Sequence, residues 1–140
     1  MDHETRSVFT VRSYEVDSYA HLNNGVYVSW LEQARLDFLQ SLGFSYDGFA
    51  ERQQWFVVAR IEVDFRAPLR TGDAVDVITR VTELGRSSVR FAQTMQRPEG
   101  RRGSPLLVCE ASTLMVFSGA DGRSIPIPDD VRARLQAVHP

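Results

Sequence analysis

Residues 17–35, DSYAHLNNGVYVSWLEQAR, form a polar turn that runs directly into an amphipathic helix. Either asparagine of the turn can cap the helix, because an asparagine side chain accepts hydrogen bonds from its first free N–H groups. Apolar residues then recur three and four apart up to Leu42, and Gly43 supplies the stop. The stretch predicts a helix over residues 24–42. Its first turn carries groups that can hold a reacting molecule, namely Asp17, His21, Asn23 and Asn24.

Four segments after the helix alternate apolar and polar residues with the period of a β-strand, at residues 59–66, 75–82, 88–95 and 107–117. A further strand is expected before the helix, at residues 7–14. Residues 44–54 are expected to be irregular or a short second helix. Residues 128–138 are expected to form a last short helix, with Asp129 or Asp130 as its cap.

One-sided alternation favours an antiparallel sheet with one face on a core. The helix over residues 24–42 is the one element expected to cover that face. The sequence therefore predicts an α+β fold, with an antiparallel sheet of about five strands wrapped around one long central helix.

The bulk composition predicts one globular domain over residues 1–140. A net charge of −2 gives no electrostatic case for binding nucleic acid. No apolar run approaches the roughly 18 residues of a membrane span, and the polar N-terminus does not resemble a secretory signal, so a cytoplasmic location is expected. The single cysteine, Cys109, excludes an internal disulfide and a cysteine-cluster metal site, and its apolar surroundings predict a buried core residue.

This order of elements, together with the turn, resembles the hotdog fold and, more narrowly, acyl-CoA thioesterases of the 4-hydroxybenzoyl-CoA thioesterase type. The most specific part is Asp17, three spacers and HLNN at residues 21–24, followed by Tyr27 and Trp30. FRAPL at residues 65–69 and GRSS at residues 85–88 add weaker support. The HLNN run is also similar to acyl-carrier-protein thioesterases of the same fold. Many relatives have glycine before the histidine, where this chain has Ala20, and the carrier-protein enzymes have asparagine where it has Tyr19.

The resemblance implies hydrolysis of an aroyl- or fatty acyl-CoA to the free acid and CoA. Coenzyme A is then part of the substrate, and no other cofactor and no metal is expected. Asp17 would be the nucleophile or the base that orients water. The backbone N–H of Asn24, at the positive end of the helix, would stabilise the oxyanion. His21 completes the catalytic candidates, either acting directly or bracing the turn.

Several of the expected substrate-binding residues could have a structural role instead. The asparagines can simply cap the helix. The helix aromatics can belong to the core or, together with Trp55 and Phe56, line an acyl pocket. Glu32 and Arg35 are expected to pair on the helix surface rather than act in catalysis. Two basic clusters are candidates for the CoA phosphates. The first consists of Arg66, Arg70, Arg86 and Arg90, and the second of Arg97, Arg101 and Arg102. The substrate-binding residues proposed from the resemblance are Asn23, Gly25, Tyr27, Trp30, Arg66, Arg86, Ser87 and Ser88.

Three alternatives to an acyl-CoA thioesterase stay open. They are an acyl-carrier-protein thioesterase, a hotdog hydratase or dehydratase, and a non-catalytic acyl-binding module. An uncovered sheet edge favours pairing with a second copy. The resemblance implies a homodimer, with further assembly into a tetramer as an option, and a site between subunits.

Overall fold

The computed structural model describes residues 3–98 and 105–139. The elements follow in the order β1, α1, α2, β2, β3, β4, β5 and α3. Their bounds are Thr5–Thr10, Asn24–Ser41, Tyr46–Arg52, Trp55–Phe65, Ala74–Leu84, Ser88–Arg97, Leu106–Ser118 and Asp129–Val138.

The first strand is shorter than the sequence predicted. It ends at Thr10, and the chain then enters a 3₁₀ turn at Ser13–Glu15. The Arg12 N–H donates to the Glu15 carboxylate at 2.9 Å, and this bond starts the turn in place of further strand pairing. The alternation of apolar and polar residues therefore continues past Thr10, where the strand ends.

The five strands form one antiparallel sheet in the order β1-β3-β4-β5-β2. The side chains of β3 and β4 alternate between buried and less buried positions, as their sequence pattern predicts. β1 and β2 are the two edges. In the register of β2 with β5, Trp55 lies opposite Ser118 and Phe65 lies opposite Cys109.

Helix α1 packs its apolar side against this sheet, which confirms the predicted α+β hotdog architecture. Asn23 is the N-cap, and Gly43 follows the end of the helix with φ of 89°, a left-handed conformation that suits glycine. The apolar stripe of α1 is buried, including Tyr27 and Trp30. A helix this apolar gains most of its stability from the sheet that it contacts.

Two expectations about the helices are wrong. α1 is not alone in covering the sheet, because Val131 and Leu135 of α3 are completely buried in a core cluster that also contains Phe117. The N-cap of α3 is Pro128, and no side chain caps it. Both predicted cap residues, Asp129 and Asp130, instead lie in the first turn. A negative charge there interacts favourably with the helix dipole.

Arg35 is not on the helix surface. It lies four residues after Leu31 and three before Phe38, so it shares their buried side of α1 and is only 3% exposed. The expected surface pair with Glu32 is therefore replaced by contacts with the sheet. No helix in residues 3–98 and 105–139 is long and apolar enough to cross a bilayer.

Candidate active site

The turn before α1 is closed around the carboxylate of Asp17. Its Oδ1 accepts hydrogen bonds from the N–H groups of Tyr19 at 2.9 Å and His21 at 3.3 Å. The backbone closes the same turn, with Asp17 N–H donating to the His21 carbonyl at 2.8 Å. Asp17 Oδ2 bonds to no residue that the structure describes. The carboxylate is thus held through one oxygen, and the other is available.

The first N–H groups of α1 have different partners. Asn23 N–H donates to the Glu15 carbonyl at 2.9 Å, and Val26 N–H donates to the Asn23 carbonyl at 3.0 Å. Gly25 N–H donates to the Asn23 side chain at 2.9 Å, so it is not free to bind a substrate. In the described parts of the chain, Asn24 N–H donates to nothing. An unbonded amide at a helix N-terminus is a ready site for negative charge.

The available carboxylate and the available amide belong to residues of one cleft of about 310 Å³. Burial, above all, raises the pKa of the Tyr27 phenol, and the nearby Asp17 carboxylate raises it further. The Tyr27 ring also contacts Phe65 edge-on, with centroids 5.0 Å apart. The cleft therefore has an apolar wall beside its ionised group. Its lining residues are Asp17, His21, Leu22, Asn24, Tyr27, Phe65, Arg66, Ala67 and Pro68.

Cys109 lies behind this cleft and is completely buried. Burial raises the pKa of its thiol to about 11, so the thiol stays protonated and a poor nucleophile near neutral pH. The prediction of a core cysteine is confirmed.

Some predicted binding residues lie elsewhere. Trp30 stacks on Phe9 with centroids 5.1 Å apart and belongs to the core rather than to the cleft. Arg66 does line the cleft, and it pairs with Glu110 at 3.1 Å. The Asn23 side chain caps α1.

The Arg86–Ser88 region lies at the opposite end of the sheet from Asp17 in the same chain. Ser88 is opposite Val116 of β5, whereas the cleft residue Phe65 is opposite Cys109. Val116 and Cys109 are roughly 20 Å apart along β5 at the usual rise of a strand, so Ser88 and Phe65 are separated by a similar distance. The carbonyls of Arg86 and Ser87 accept from the N–H groups of Ile127 and Phe117, at 2.9 and 2.7 Å, and so tie the turn to its neighbours.

The second basic cluster falls largely on residues outside the described ranges, since Arg101 and Arg102 lie there. Its remaining member, Arg97, is 3.6 Å from the Asp73 carboxylate.

The structure brings five of the predicted site residues to one cleft: Asp17, His21, Asn24, Tyr27 and Arg66.

A second cavity, of about 590 Å³, lies between α1, α2 and the other end of β2. Trp55 and Phe56, which the sequence offered as acyl-pocket residues, line it. Arg35 also lines it, and its Nη1 donates to Gln93 Oε1 at 3.0 Å and to Thr113 Oγ1 at 3.3 Å.

The sequence analysis missed this polar network inside the core. The available signal was Gln93, a polar residue between Phe91 and Met95 at an inward position of β4. A glutamine there needs a buried partner, since unsatisfied buried amides are costly.

A long helix embraced by a five-stranded antiparallel sheet is the hotdog architecture, and here Asp17 shares a cleft with the first residue of that helix. Residues 11–135 match the Thioesterase-like superfamily, and the chain belongs to that family of thioesterases.

The chain is similar to the acyl-acyl carrier protein thioesterase ATL3 of Arabidopsis thaliana, with 27% identity over 125 residues. That alignment covers 89% of this chain and 64% of the plant protein, so the chain spans under two thirds of its length. It is also similar to the long-chain acyl-CoA thioesterase FadM of Escherichia coli, with 26% identity over 91% of this chain and 94% of FadM. The fold matches a 4-hydroxybenzoyl-CoA thioesterase mutant crystallised with 4-hydroxybenzoyl-CoA, with a TM-score of 0.87 and 19% identity, covering 94% of this chain and 98% of the other.

Proposed function

We propose that this chain hydrolyses an acyl-CoA thioester, aroyl or fatty acyl, in the cleft between Asp17 and the start of α1. The observation that supports this most is that the unbonded Oδ2 of Asp17 and the unbonded N–H of Asn24 belong to residues of the same cleft. The first can act on water or on the carbonyl carbon, and the second can bind the carbonyl oxygen.

With Asp17 as base, the carboxylate removes a proton from water as the water oxygen bonds to the thioester carbon. Charge develops on the carbonyl oxygen, where the Asn24 N–H and the positive helix end stabilise it. The C–S bond then breaks, and the CoA thiolate leaves and takes up a proton. With Asp17 as nucleophile, its carboxylate bonds to the thioester carbon, the C–S bond breaks and the CoA thiolate leaves and takes up a proton. Water then hydrolyses the resulting acyl anhydride to the free acid and regenerates the Asp17 carboxylate. The Asn24 N–H has the same role in both routes.

His21 and Asn23 support this arrangement from the backbone side. The His21 N–H holds Asp17 Oδ1, and the His21 side chain lines the cleft, where it can orient water. The Asn23 side chain occupies the Gly25 N–H and so leaves Asn24 as the donor at the helix start. Arg66 is the cation among the lining residues of this cleft, and it can contact a CoA phosphate.

We further propose that residues 1–140 act as one domain in a homodimer joined through β2. β2 is a long, uncovered edge, and Val57 and Val58 on it are 50% and 43% exposed. Such edges pair readily with another strand. If two β2 strands pair antiparallel about their midpoint at Arg60, Trp55 of one copy lies opposite Phe65 of the other. The Asp17 cleft of one subunit then meets the second cavity of its partner, which supplies the acyl pocket.

The test is thiol release from a panel of acyl- and aroyl-CoA thioesters, with the matching acyl carrier protein thioesters as a second arm. We expect turnover of CoA thioesters, and a strict requirement for the carrier protein would instead favour an acyl-carrier-protein thioesterase, like the plant relative. Hydration of crotonyl-CoA without thiol release would favour a hydratase. Binding without any turnover would favour a non-catalytic module.

The same assay tests Asp17 directly. Asp17→Asn is expected to lower kcat by about 10²–10⁴-fold, because the amide is neither a base nor a nucleophile. Its stability should change little, because the amide oxygen can still accept the two backbone N–H bonds. Asp121→Asn, in an exposed turn, is the control and should keep the wild-type rate. Wild-type turnover by Asp17→Asn would contradict the proposal.

A further inference from the structure

The second cavity is polar at its mouth and apolar at its inner end. Most of its exposed lining residues are polar or lie on the β2 edge, namely Glu32, Gln40, Ser45, Tyr46, Val57 and Val58. Its buried apolar lining residues are Leu39, Phe44, Phe49 and Met115. Arg35 is buried there too, but its Nη1 is bonded to Gln93 and Thr113 of the sheet. A ligand that enters from the β2 edge therefore meets mainly hydrocarbon as it goes deeper.

The size of this cavity suits a chain better than a ring. A chain carbon occupies about the volume of one water in the liquid, roughly 30 Å³. A benzoyl group, which is one ring and a carbonyl, therefore fills only roughly a third of the cavity of about 590 Å³. The apolar wall around the unfilled part would lose its dispersion contacts. A straight fatty chain of about a dozen carbons or more fills most of the same space.

Phe49 of α2 lies at the inner end, between the cavity and the core. Its ring stacks on Phe44 with centroids 5.6 Å apart, and it meets Phe56 and Phe117 edge-on, each at 5.8 Å. Phe117 is completely buried and is not among the residues that line the cavity. The Phe49 ring is therefore supported from behind by the packed core, which yields little to a longer ligand.

We infer that the cavity binds a straight fatty acyl chain, and that Phe49 is the specificity-determining residue that limits its length. The inference rests on the proposed function, in which the cavity of one subunit receives the acyl group held at the Asp17 cleft of the other. Each methylene that leaves water for the cavity strengthens binding by up to about fourfold. This gain ends where the chain meets the Phe49 ring, because further methylenes stay outside or push the ring into a filled core.

The first experiment measures kcat/KM for butanoyl-, octanoyl-, dodecanoyl- and hexadecanoyl-CoA, and for benzoyl-CoA. We expect kcat/KM to rise at least about tenfold from butanoyl- to dodecanoyl-CoA, because each added methylene is buried. The gain should be smaller from dodecanoyl- to hexadecanoyl-CoA, where the chain reaches Phe49. Dodecanoyl-CoA should exceed benzoyl-CoA by at least about tenfold. Hydrolysis of benzoyl-CoA as fast as or faster than every fatty acyl-CoA overturns the inference.

Variants then test whether Phe49 sets the limit. Phe49→Leu shortens the side chain at the inner end and should raise the hexadecanoyl-to-dodecanoyl ratio of kcat/KM at least about threefold. Leu39→Phe adds a ring to the same wall and should lower that ratio, which keeps the test decisive if Phe49→Leu does not fold. Phe91→Leu is the matched control, since Phe91 belongs to the same core cluster but packs on Phe38 and does not line the cavity. It should keep the wild-type ratio. A wild-type ratio in a folded Phe49→Leu or Leu39→Phe variant overturns the assignment.

Binding separates this inference from the proposed function. S-alkyl-CoA thioethers of the same chain lengths have no thioester to hydrolyse, and calorimetry gives their dissociation constants with the wild type and with Phe49→Leu. Suppose that affinity rises with chain length, that the limit moves in Phe49→Leu, and that no thioester is turned over. That result would contradict the proposed hydrolysis and support the inference. Turnover of the thioesters without any effect of chain length on kcat/KM or on affinity would do the reverse.

Discussion

The Asp17 turn depends on the backbone of Ala20, whose φ is 63°. This left-handed conformation is costly for a residue with a Cβ atom, by roughly 1–2 kcal/mol, and glycine adopts it freely. It lets the Ala20 N–H donate to the Asp17 carbonyl at 3.0 Å and turns His21 back toward the carboxylate. The glycine that related sequences carry at this position has the same physical explanation.

A substitution series at Ala20 tests that strain. Ala20→Val should lower the free energy of unfolding by about 1–2 kcal/mol, because a β-branched side chain tolerates a positive φ poorly. Ala20→Gly should stay within about 1 kcal/mol of the wild type, since relief of strain is offset by a more flexible unfolded chain. Urea unfolding measures both. A valine variant as stable as the wild type would show that the turn does not need this conformation.

At the scale of single residues, the sequence predicted those site members that are close in the chain. A turn running into a helix start fixes Asp17, His21 and Asn24 near one another whatever the rest of the fold does. Whether the Gly25 N–H is free or bonded could not be predicted, because that depends on which asparagine caps the helix. The position of Ser88 relative to Asp17 depends on strand register, which alternation alone does not specify.

Among the elements, α1 was predicted closely because its apolar period is long and its end is marked by Gly43. The contribution of α3 to covering the sheet was missed, because a short segment with few apolar residues gives little evidence of what it covers.

In the structure α3 is also joined to α2 by an exposed ion pair. The Arg52 Nη2 lies 2.5 Å from Asp130 Oδ2, and Nη1 donates to Oδ1 at 3.1 Å.

The α2–α3 ion pair predicts a small stability effect that depends on pH. Its hydrogen bond with Arg52 lowers the pKa of Asp130, so the stabilisation is present above the ordinary pKa of an aspartate and is lost as pH falls through the lowered value. Asp130→Asn should cost less than about 1 kcal/mol at pH 7, because both side chains are largely solvated. Thermal unfolding should show the difference shrinking below about pH 4 and in high salt. A deficit that persists in acid would contradict this account.

At the scale of the whole molecule, the two sheet edges are not equivalent. β2 is eleven residues long and opens onto the second cavity, whereas β1 has six residues. The proposed dimer through β2 joins the chemistry of one subunit to the acyl pocket of the other. An isolated subunit would hold both halves at opposite ends of its own β2.

A matched pair of charge substitutions tests the dimer. Val57→Lys, on β2, should raise the dissociation constant at least about tenfold, because the pairing would bury two new charges. It should lower turnover in parallel. Val8→Lys, on β1 and 64% exposed in the wild type, should remain dimeric and active. Analytical ultracentrifugation with activity at the same concentrations measures both. A fully active monomeric wild type would contradict a site shared between subunits.

The central claim is that the Asn24 N–H binds the oxyanion opposite Asp17, and Asn24→Pro removes that single donor. Proline suits the first position of a helix, and Asn23, with φ of −63° and ψ of 138°, already has the conformation that a following proline requires. Asn24→Ala is the control, since it keeps the N–H and removes only the side chain.

The deciding measurement is kcat of Asn24→Pro relative to Asn24→Ala on a hydrolysed acyl-CoA, with the stability of both variants recorded. We predict a loss of about 10²–10³-fold, the usual effect of deleting one oxyanion donor, and free energies of unfolding within about 1 kcal/mol of each other. Equal turnover by two folded variants would contradict the claim.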